Sequence, residues 1–539
     1  MLSPGRRGAA GVTVLALVST GLAGWGLPAV AASGVTPAVA ARCASSVPGD
    51  VNGDGQAEAV IGEPLDANAA GAVHVLYGQP DGLVADAAGT ARNDQLFTQD
   101  TGGVPGAAEP GDGFGFSNVL ADFNGDGCAD LAAAAPWENN FTGLVIVLYG
   151  SAAGLTTAGA QSFTENSLFG AGSGVSAELF GAKLSHGDLN DDGVTDLVVG
   201  APGEFVNGAG AGGAVAVIYG AAGGLGQGST SPDLVSQASR GVPGRPENAD
   251  AFGSALAVGD FDGHGLDDLA VGVPGENGSR GIVQVLPGQR GTGVGALPAV
   301  TYSQDTAGVP GKAEPRDAFG TAVAAGDVTA DGFADLAVGA PGENGSTSEP
   351  GFGEGAVSFL RGSSSGLTGQ DSQIWSQASA GVGGVPGSAD RFGAALAMAR
   401  LDNGPPLDLA IGAPGDSVGS ISDAGSVTIL LGRNFGLSTD EAGGQRFHQD
   451  TAGIDGRPEE DDRFGASVAA PAIQTTGEGS LLIGVPGETV NGVLETGLFH
   501  QLVTNEFGPS TEGSRTFHLD SAGVQGTPGV GDQFGLDVS

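Results

Sequence analysis

Beyond an apolar leader, hydrophobic positions along this chain come in short runs broken by Gly, Pro, Asn and Asp, and no stretch keeps a helical period. That alternation predicts strands and tight turns throughout. The runs recur. Phe-Gly stands at Phe114-Gly115, Phe180-Gly181, Phe252-Gly253, Phe319-Gly320, Phe392-Gly393, Phe464-Gly465 and Phe534-Gly535, with gaps of 66 to 73 residues. A second landmark, an apolar triplet ending in Gly-x-Pro or a variant, reaches Pro64, Pro136, Pro202, Pro274, Pro341, Pro414 and Pro486. A third is an alternating apolar run ending in Gly at Gly78, Gly150, Gly220, Gly288, Gly362 and Gly432, with a blurred seventh copy near residues 498–503.

Each unit therefore reads as four strands: the Phe-Gly run, the run into Gly-x-Pro, the run into the later Gly, and a weaker one before Gln-Asp-Thr-type turns. Four-stranded units in radial repetition predict a propeller, here all-β and seven-bladed. The first unit begins at Asp50 with no Phe-Gly strand, while Phe534-Gly535 stands alone at the other end. The expectation is a single propeller over residues 43–539, closed by N- and C-terminal strands in one blade.

Composition fits this picture only because it is periodic. Gly (102) and Pro (29) make up about a quarter of the 539 residues, close to the range of disordered chains, yet 40% of residues are hydrophobic. The formal charge of −42 argues against nucleic acid and anionic membrane surfaces as partners, since both call for Lys and Arg. Residues 1–32 read as a secretory signal: Arg6 and Arg7, an apolar stretch, then Pro28-Ala29-Val30-Ala31-Ala32, with Ala38-Val39-Ala40 allowing a cut as late as 41. The expectation is a secreted, extracellular monomer with no membrane insertion. Two cysteines, Cys43 and Cys128, allow one intramolecular disulfide in an oxidising compartment, against the reading of two separate buried thiols.

The acid is concentrated. Eight residues after Phe114 a loop begins that places Asp122, Asn124, Asp126 and Asp130 at positions one, three, five and nine, with Gly127 at six. Oxygen ligands two residues apart followed by Gly suit a hard cation of six to eight oxygens, so Ca2+ is expected. The same positions hold Asp50, Asn52, Asp54 and Glu58 in the first loop, and Asp188, Asn190, Asp192 and Asp196 in the third. They hold Asp260, Asp262, His264 and Asp268 in the fourth, and Asp327, Thr329, Asp331 and Asp335 in the fifth. Position seven, occupied by Gln56, Cys128, Val194, Leu266 and Phe333, would offer a backbone carbonyl. His264 is a poor hard-cation ligand. The sixth loop puts Arg400 at position one, and the seventh, residues 472–480, has no acid at positions one, three, five or nine. About five calcium sites are expected, the first three with the fullest ligand sets. The competing reading is turn chemistry, because Asp, Asn and Gly favour turns without any metal.

Phe-Gly followed by Gly-Ala-Pro, with an acidic loop between, resembles the FG-GAP repeat of the integrin α-subunit N-terminal propeller. The resemblance spans essentially the whole chain after the leader. It implies seven blades, calcium in hairpin loops on one face and ligand contacts on the other.

Catalytic signals are thin. Gly362-Ser363-Ser364-Ser365-Gly366 matches a nucleophile elbow but fills the slot of Gly150-Ser151-Ala152-Ala153-Gly154, which marks it as repeat turn text. The six histidines form no cluster in sequence. Glu204, Glu276, Glu343 and Glu488 recur in Pro-Gly-Glu loops, as turn caps or as a polar rim. The chain is expected to be no enzyme but an extracellular binding or adhesion module for a protein or glycan ligand. The alternative is an extracellular hydrolase or lyase with its site at the propeller channel mouth.

Overall fold

A computed structural model describes residues 43, 47–80, 82–85, 94–174, 176–344, 353–439, 444–473 and 479–539. The leader expected over residues 1–32 lies outside the described residues.

The repeats fold into seven antiparallel sheets, six of four strands and one of five, forming a seven-bladed all-β propeller. The second blade shows the plan. Asn118–Ala121 follows Phe114-Gly115, pairs with Asp130–Ala135, and is followed outward by Leu144–Tyr149 and Thr156–Phe163. Asp130–Ala135 is buried at every position, as a strand covered on both faces must be. The fifth strand of the sixth blade, Gly436–Ser438, extends the hairpin that follows Ser426–Arg433. Departures from β-structure are short turns such as Glu138–Phe141 and Glu165–Phe169. In the first blade the inner strand comes from the far end of the chain: Asp537–Val538 pairs with Ala59–Glu63, setting Ile61 opposite Val538 and Gly62 opposite Asp537.

The core lies between sheets. Seven clusters each join two neighbouring blades. One sets Ala132 and Val145 against Leu197 and Val199, and another sets Ile61 and Leu76 of the first blade against Leu482 and Phe499 of the seventh. All seven Phe-Gly phenylalanines have no exposed surface. A buried Phe contributes roughly 1.5–3 kcal/mol of transfer free energy, and each junction cluster contains one of these seven.

The glycines of the two motifs meet backbone to backbone. A Cβ on Gly62 would lie 2.1 Å from the carbonyl oxygen of Gly115 in the next blade. Gly115 itself has φ +92°, and a Cβ there would lie 2.4 Å from the Ala72 carbonyl oxygen. Only Gly lets the chain turn at that angle and approach so closely. The repeat text thus encodes the blade junction.

Cys43 and Cys128 are bonded, with Cα atoms 5.0 Å apart across 85 residues. The bridge sets Cys43 beside the first and second acidic loops, where Cβ atoms built on Gly53 and Gly127 would meet it. Ser363 Oγ donates to the Gly366 carbonyl at 2.7 Å, just as Ser151 Oγ donates to Gly154, so the Gly-Ser-Ser-Ser-Gly text is a repeat turn.

Candidate metal centres in the blade hairpins

The second to fifth acidic loops each connect the inner strand of a blade to the next strand outward, and the first leads directly into the second strand of its blade, so the loops share one end of the ring. Position one organises them. Asp122 Oδ1 accepts the amides of Gly125 (2.7 Å) and Asp126 (3.1 Å), and Oδ2 accepts that of Gly127 (2.8 Å). Asp50, Asp188, Asp260 and Asp327 likewise accept the amides at positions five and six. At position five, Asp54, Asp126, Asp192 and Asp331 accept the position-seven amides of Gln56, Cys128, Val194 and Phe333. The repeated carboxylates therefore build the loop and converge within it. Carboxylate oxygens of Asp50, Asp54 and Glu58 lie within 4.8 Å of one another.

Position nine has a structural task that the sequence did not reveal. Asp130 Oδ2 accepts the Phe123 amide at 2.9 Å while Oδ1 accepts the Gly150 amide of the neighbouring hairpin at 2.8 Å. Asp196 repeats this with Leu189 and Gly220, Asp268 with Phe261 and Gly288, and Asp335 with Val328 and Gly362. Asp408 of the sixth loop does the same with Leu401 and Gly432, although that loop has Arg400 at position one and Gly404 at position five. Position nine alone is thus no metal signal. In the first loop Glu58 takes the Val51 amide at 2.7 Å and the Asn52 side-chain amide at 2.9 Å.

One observation fits a cation. At position three, Asn52 Oδ1, Asn190 Oδ1 and Thr329 Oγ1 are buried and make no hydrogen bond, and unsatisfied buried acceptors are uncommon. The position-nine carboxyls stand far above their ordinary range, but so does Asp408 of the sixth loop, at about 6, so the rise reports burial and not the loop's ligand set. Burial, opposed by the amide bonds and reinforced by Asp122 and Asp126, pushes Asp130 up to about 8. Burial likewise pushes Asp196 up to about 7 and Asp268 and Asp335 up to about 6. A divalent ion would supply the position-three oxygens with an electron-pair acceptor.

The loops are not equivalent. In the fourth, His264 Nδ1 sits 2.5 Å from Asp262 and 3.4 Å from Asp260, an imidazole competing for both carboxylates, and Leu266 is buried. In the fifth, Arg361 from the adjacent strand reaches Asp331 at 3.0 Å, a partner that local spacing could not show. In the sixth, Arg433 lies 3.6 Å from Asp402. Residues 474–478 of the seventh loop are outside the described residues.

At the opposite end, Glu276, Glu343 and Glu488 of the Pro-Gly-Glu loops, and Glu138 at the equivalent position of the second blade, share a contact that the sequence did not show. Each accepts from a glutamine 39 residues earlier: Gln237 (2.7 Å), Gln304 (2.5 Å), Gln449 and Gln99 (2.9 Å). The central channel encloses about 360 Å³ and is lined mainly by Ala, Ser and apolar side chains, with Lys183 and Asp537 as the ionisable lining groups. Asp537 is held by the Asn118 side-chain amide at 2.8 Å.

A propeller whose blades are joined by Phe-Gly and Gly-x-Pro, with acidic hairpins at one end, defines a class of repeat protein. The FG-GAP repeat model matches residues 44–76, 114–148, 180–218, 252–286 and 319–360, and the chain is an FG-GAP repeat protein resembling the integrin α N-terminal propeller. It is 32% identical to integrin alpha-5 of Xenopus laevis over 232 residues, which is 42% of this chain and 20% of that protein. It is 37% identical to phosphatidylinositol-glycan-specific phospholipase D of Homo sapiens over 166 residues, covering 30% of this chain and 18% of that one. The chain thus spans about a fifth of the length of the curated relatives it matches. The solved structure of the exotype rhamnogalacturonan lyase YesX overlays with a TM-score of 0.34 at 12% identity, covering 83% of this chain and 64% of that one.

Proposed function

We propose that this protein is a secreted, calcium-stabilised propeller that serves as an extracellular binding or adhesion module for a protein or glycan ligand. The observation that carries the metal reading is the set of buried, unbonded position-three oxygens beside converging carboxylates. Residues 50–58, 122–130 and 188–196 hold the fullest oxygen sets. The fourth and fifth loops are weakened by His264 and Arg361. Secretion is supported by the leader-like residues 1–32 and by the Cys43–Cys128 bridge, which suits an oxidising compartment. Among the described residues no helix is long and apolar enough to cross a membrane.

Binding is preferred to catalysis because the ionisable groups of the channel lining are one lysine and one aspartate, the aspartate held by Asn118. The similarity to the phospholipase supports the alternative, a hydrolase or lyase at the channel mouth, through a shared segment rather than a shared site.

Adding a chelator to the purified full chain should lower its melting temperature by many degrees, and calcium should restore it. An unchanged melting curve would remove the metal reading. Capture of an extracellular glycan or protein on an array only when calcium is present would support the binding module.

A further inference from the structure

Each blade junction carries a three-residue station at the end opposite the acidic hairpins. In six of the seven its members lie 13 and 26 residues apart, as in Gln99, Asp112 and Glu138 or Gln237, Asp250 and Glu276; in the other, Leu519 and Asp532 are joined by Glu63 from the far end of the chain. The last carboxylate is buried or half-buried, so it needs a donor or a counter-charge. In four stations the glutamine amide supplies the donor. Where the last residue is Asp416, Arg446 and the Ser426 hydroxyl meet it. Where it is Glu63, His74 Nε2 lies 3.1 Å away.

The remaining station breaks the rule. Glu165 stands where five of the other six have glutamine and the station of Glu63 has Leu519, and it faces Glu178 and Glu204. All three are buried, with exposures of 2%, 1% and 8%, and each offers a carboxylate oxygen within 4.8 Å of the other two. Glu165 Oε2 and Glu204 Oε2 are fully enclosed and make no hydrogen bond. We propose that Glu165, Glu178 and Glu204 form a further divalent-cation site of calcium type, at the opposite end of the ring from the acidic hairpins.

The chemistry follows from the ligand set. Calcium takes oxygens at about 2.3–2.6 Å, so donors around one ion can be up to about 5 Å apart, the spread seen here. Three carboxylates and no nitrogen or sulfur donor suit a hard ion. The ligands are firmly placed. The Gly203 amide donates to the Glu178 carbonyl at 2.9 Å, and a Cβ on Gly203 would lie 2.0 Å from the Ala177 carbonyl oxygen. Thr164 caps the turn that begins with Glu165. A cleft of about 320 Å³, bordered by Asn139, Thr142 and Asn166, reaches Glu165 and gives an ion a way in. Burial, then the charges of Glu204 and Glu178, raise the Glu165 carboxyl above its ordinary range.

The test counts calcium bound to the full chain by native mass spectrometry, after chelation and recharging with calcium chloride. Glu165→Gln restores the amide used by four sibling stations and should fold; its circular dichroism spectrum checks this. The expected result is one calcium fewer than wild type, with a melting temperature that responds less to calcium. A companion variant, Asp188→Asn with Asp192→Asn, disables the third hairpin loop and should also lose one ion. If the hairpin variant loses an ion and Glu165→Gln does not, the hairpin reading stands and this site is refuted. If only Glu165→Gln loses one, this site stands and the third hairpin does not bind. An unchanged count in Glu165→Gln, with a melting temperature raised equally with and without calcium, means that the carboxyls share protons instead and overturns the proposal.

Discussion

Breaking the Cys43–Cys128 bridge gives the clearest quantitative test of how the ring is held shut. The bridge closes 85 residues of chain, spanning the first blade's local strands and the innermost strand of the second. On the chain-entropy account, a closed loop of that length removes about 15 cal/mol/K from the unfolded ensemble, or about 4.5 kcal/mol at 25 °C. If the roughly 500 residues of the propeller unfold together, the unfolding entropy is about 1 kcal/mol/K, so the melting temperature should fall by about 4–5 °C. The assay is differential scanning calorimetry of Cys43→Ser with Cys128→Ser, at saturating calcium, because Cys128 also sits in the second acidic loop. A fall below 1 °C would refute the view that the bridge acts by constraining the unfolded chain. A first blade that melts separately and early would refute a single cooperative ring.

Other outcomes follow from buried polar contacts. Gln237→Leu should destabilise the chain by roughly 1–3 kcal/mol in denaturant titration, because it leaves Glu276 buried without its donor; a change near zero would show that the glutamine–glutamate tie is dispensable. His74 should make stability fall as pH rises. Burial lowers its pKa, but hydrogen bonds to Asp94 (2.9 Å) and Glu63 (3.1 Å) outweigh that and hold it up at about 9. Stability from the charged imidazole is therefore fully present below its unfolded value near 6.5 and is lost as pH passes through about 9. Glu63, pushed up to about 7 by burial and further by Asp66 and Asp532, adds a loss in the same direction at lower pH. The full His74 effect is on the order of 3 kcal/mol, so melting temperature should decline from pH 6.5 to 9.5 in wild type and much less in His74→Gln. Equal slopes would show that His74 is not the titrating group.

The architecture was legible because its determinants are local and repeated. A Phe that anchors a blade junction and a Gly that passes close to the next backbone recur with each unit, so spacing alone reveals seven blades. The acidic loops are legible for the same reason: positions one, five and nine hydrogen-bond within or next to their own hairpin. What escaped the sequence depends on partners from distant chain. Arg361 reaches Asp331 from 30 residues away, and Glu276, Glu343 and Glu488 meet glutamine amides 39 residues earlier. Nothing in the local text of either partner announces the other. Glu165 shows the difference most clearly. In sequence it is one acid among 61, replacing a glutamine in a turn. Only the packing of two loops into one buried station sets it against Glu178 and Glu204, where low polarity makes three like charges costly. The sequence by itself determined the ring, its repeat count and the loops rich in oxygen, because those rest on short-range periodicity. The tertiary structure alone decided which carboxylates are buried together and what must neutralise them, because burial and through-space distance are properties of the assembled ring.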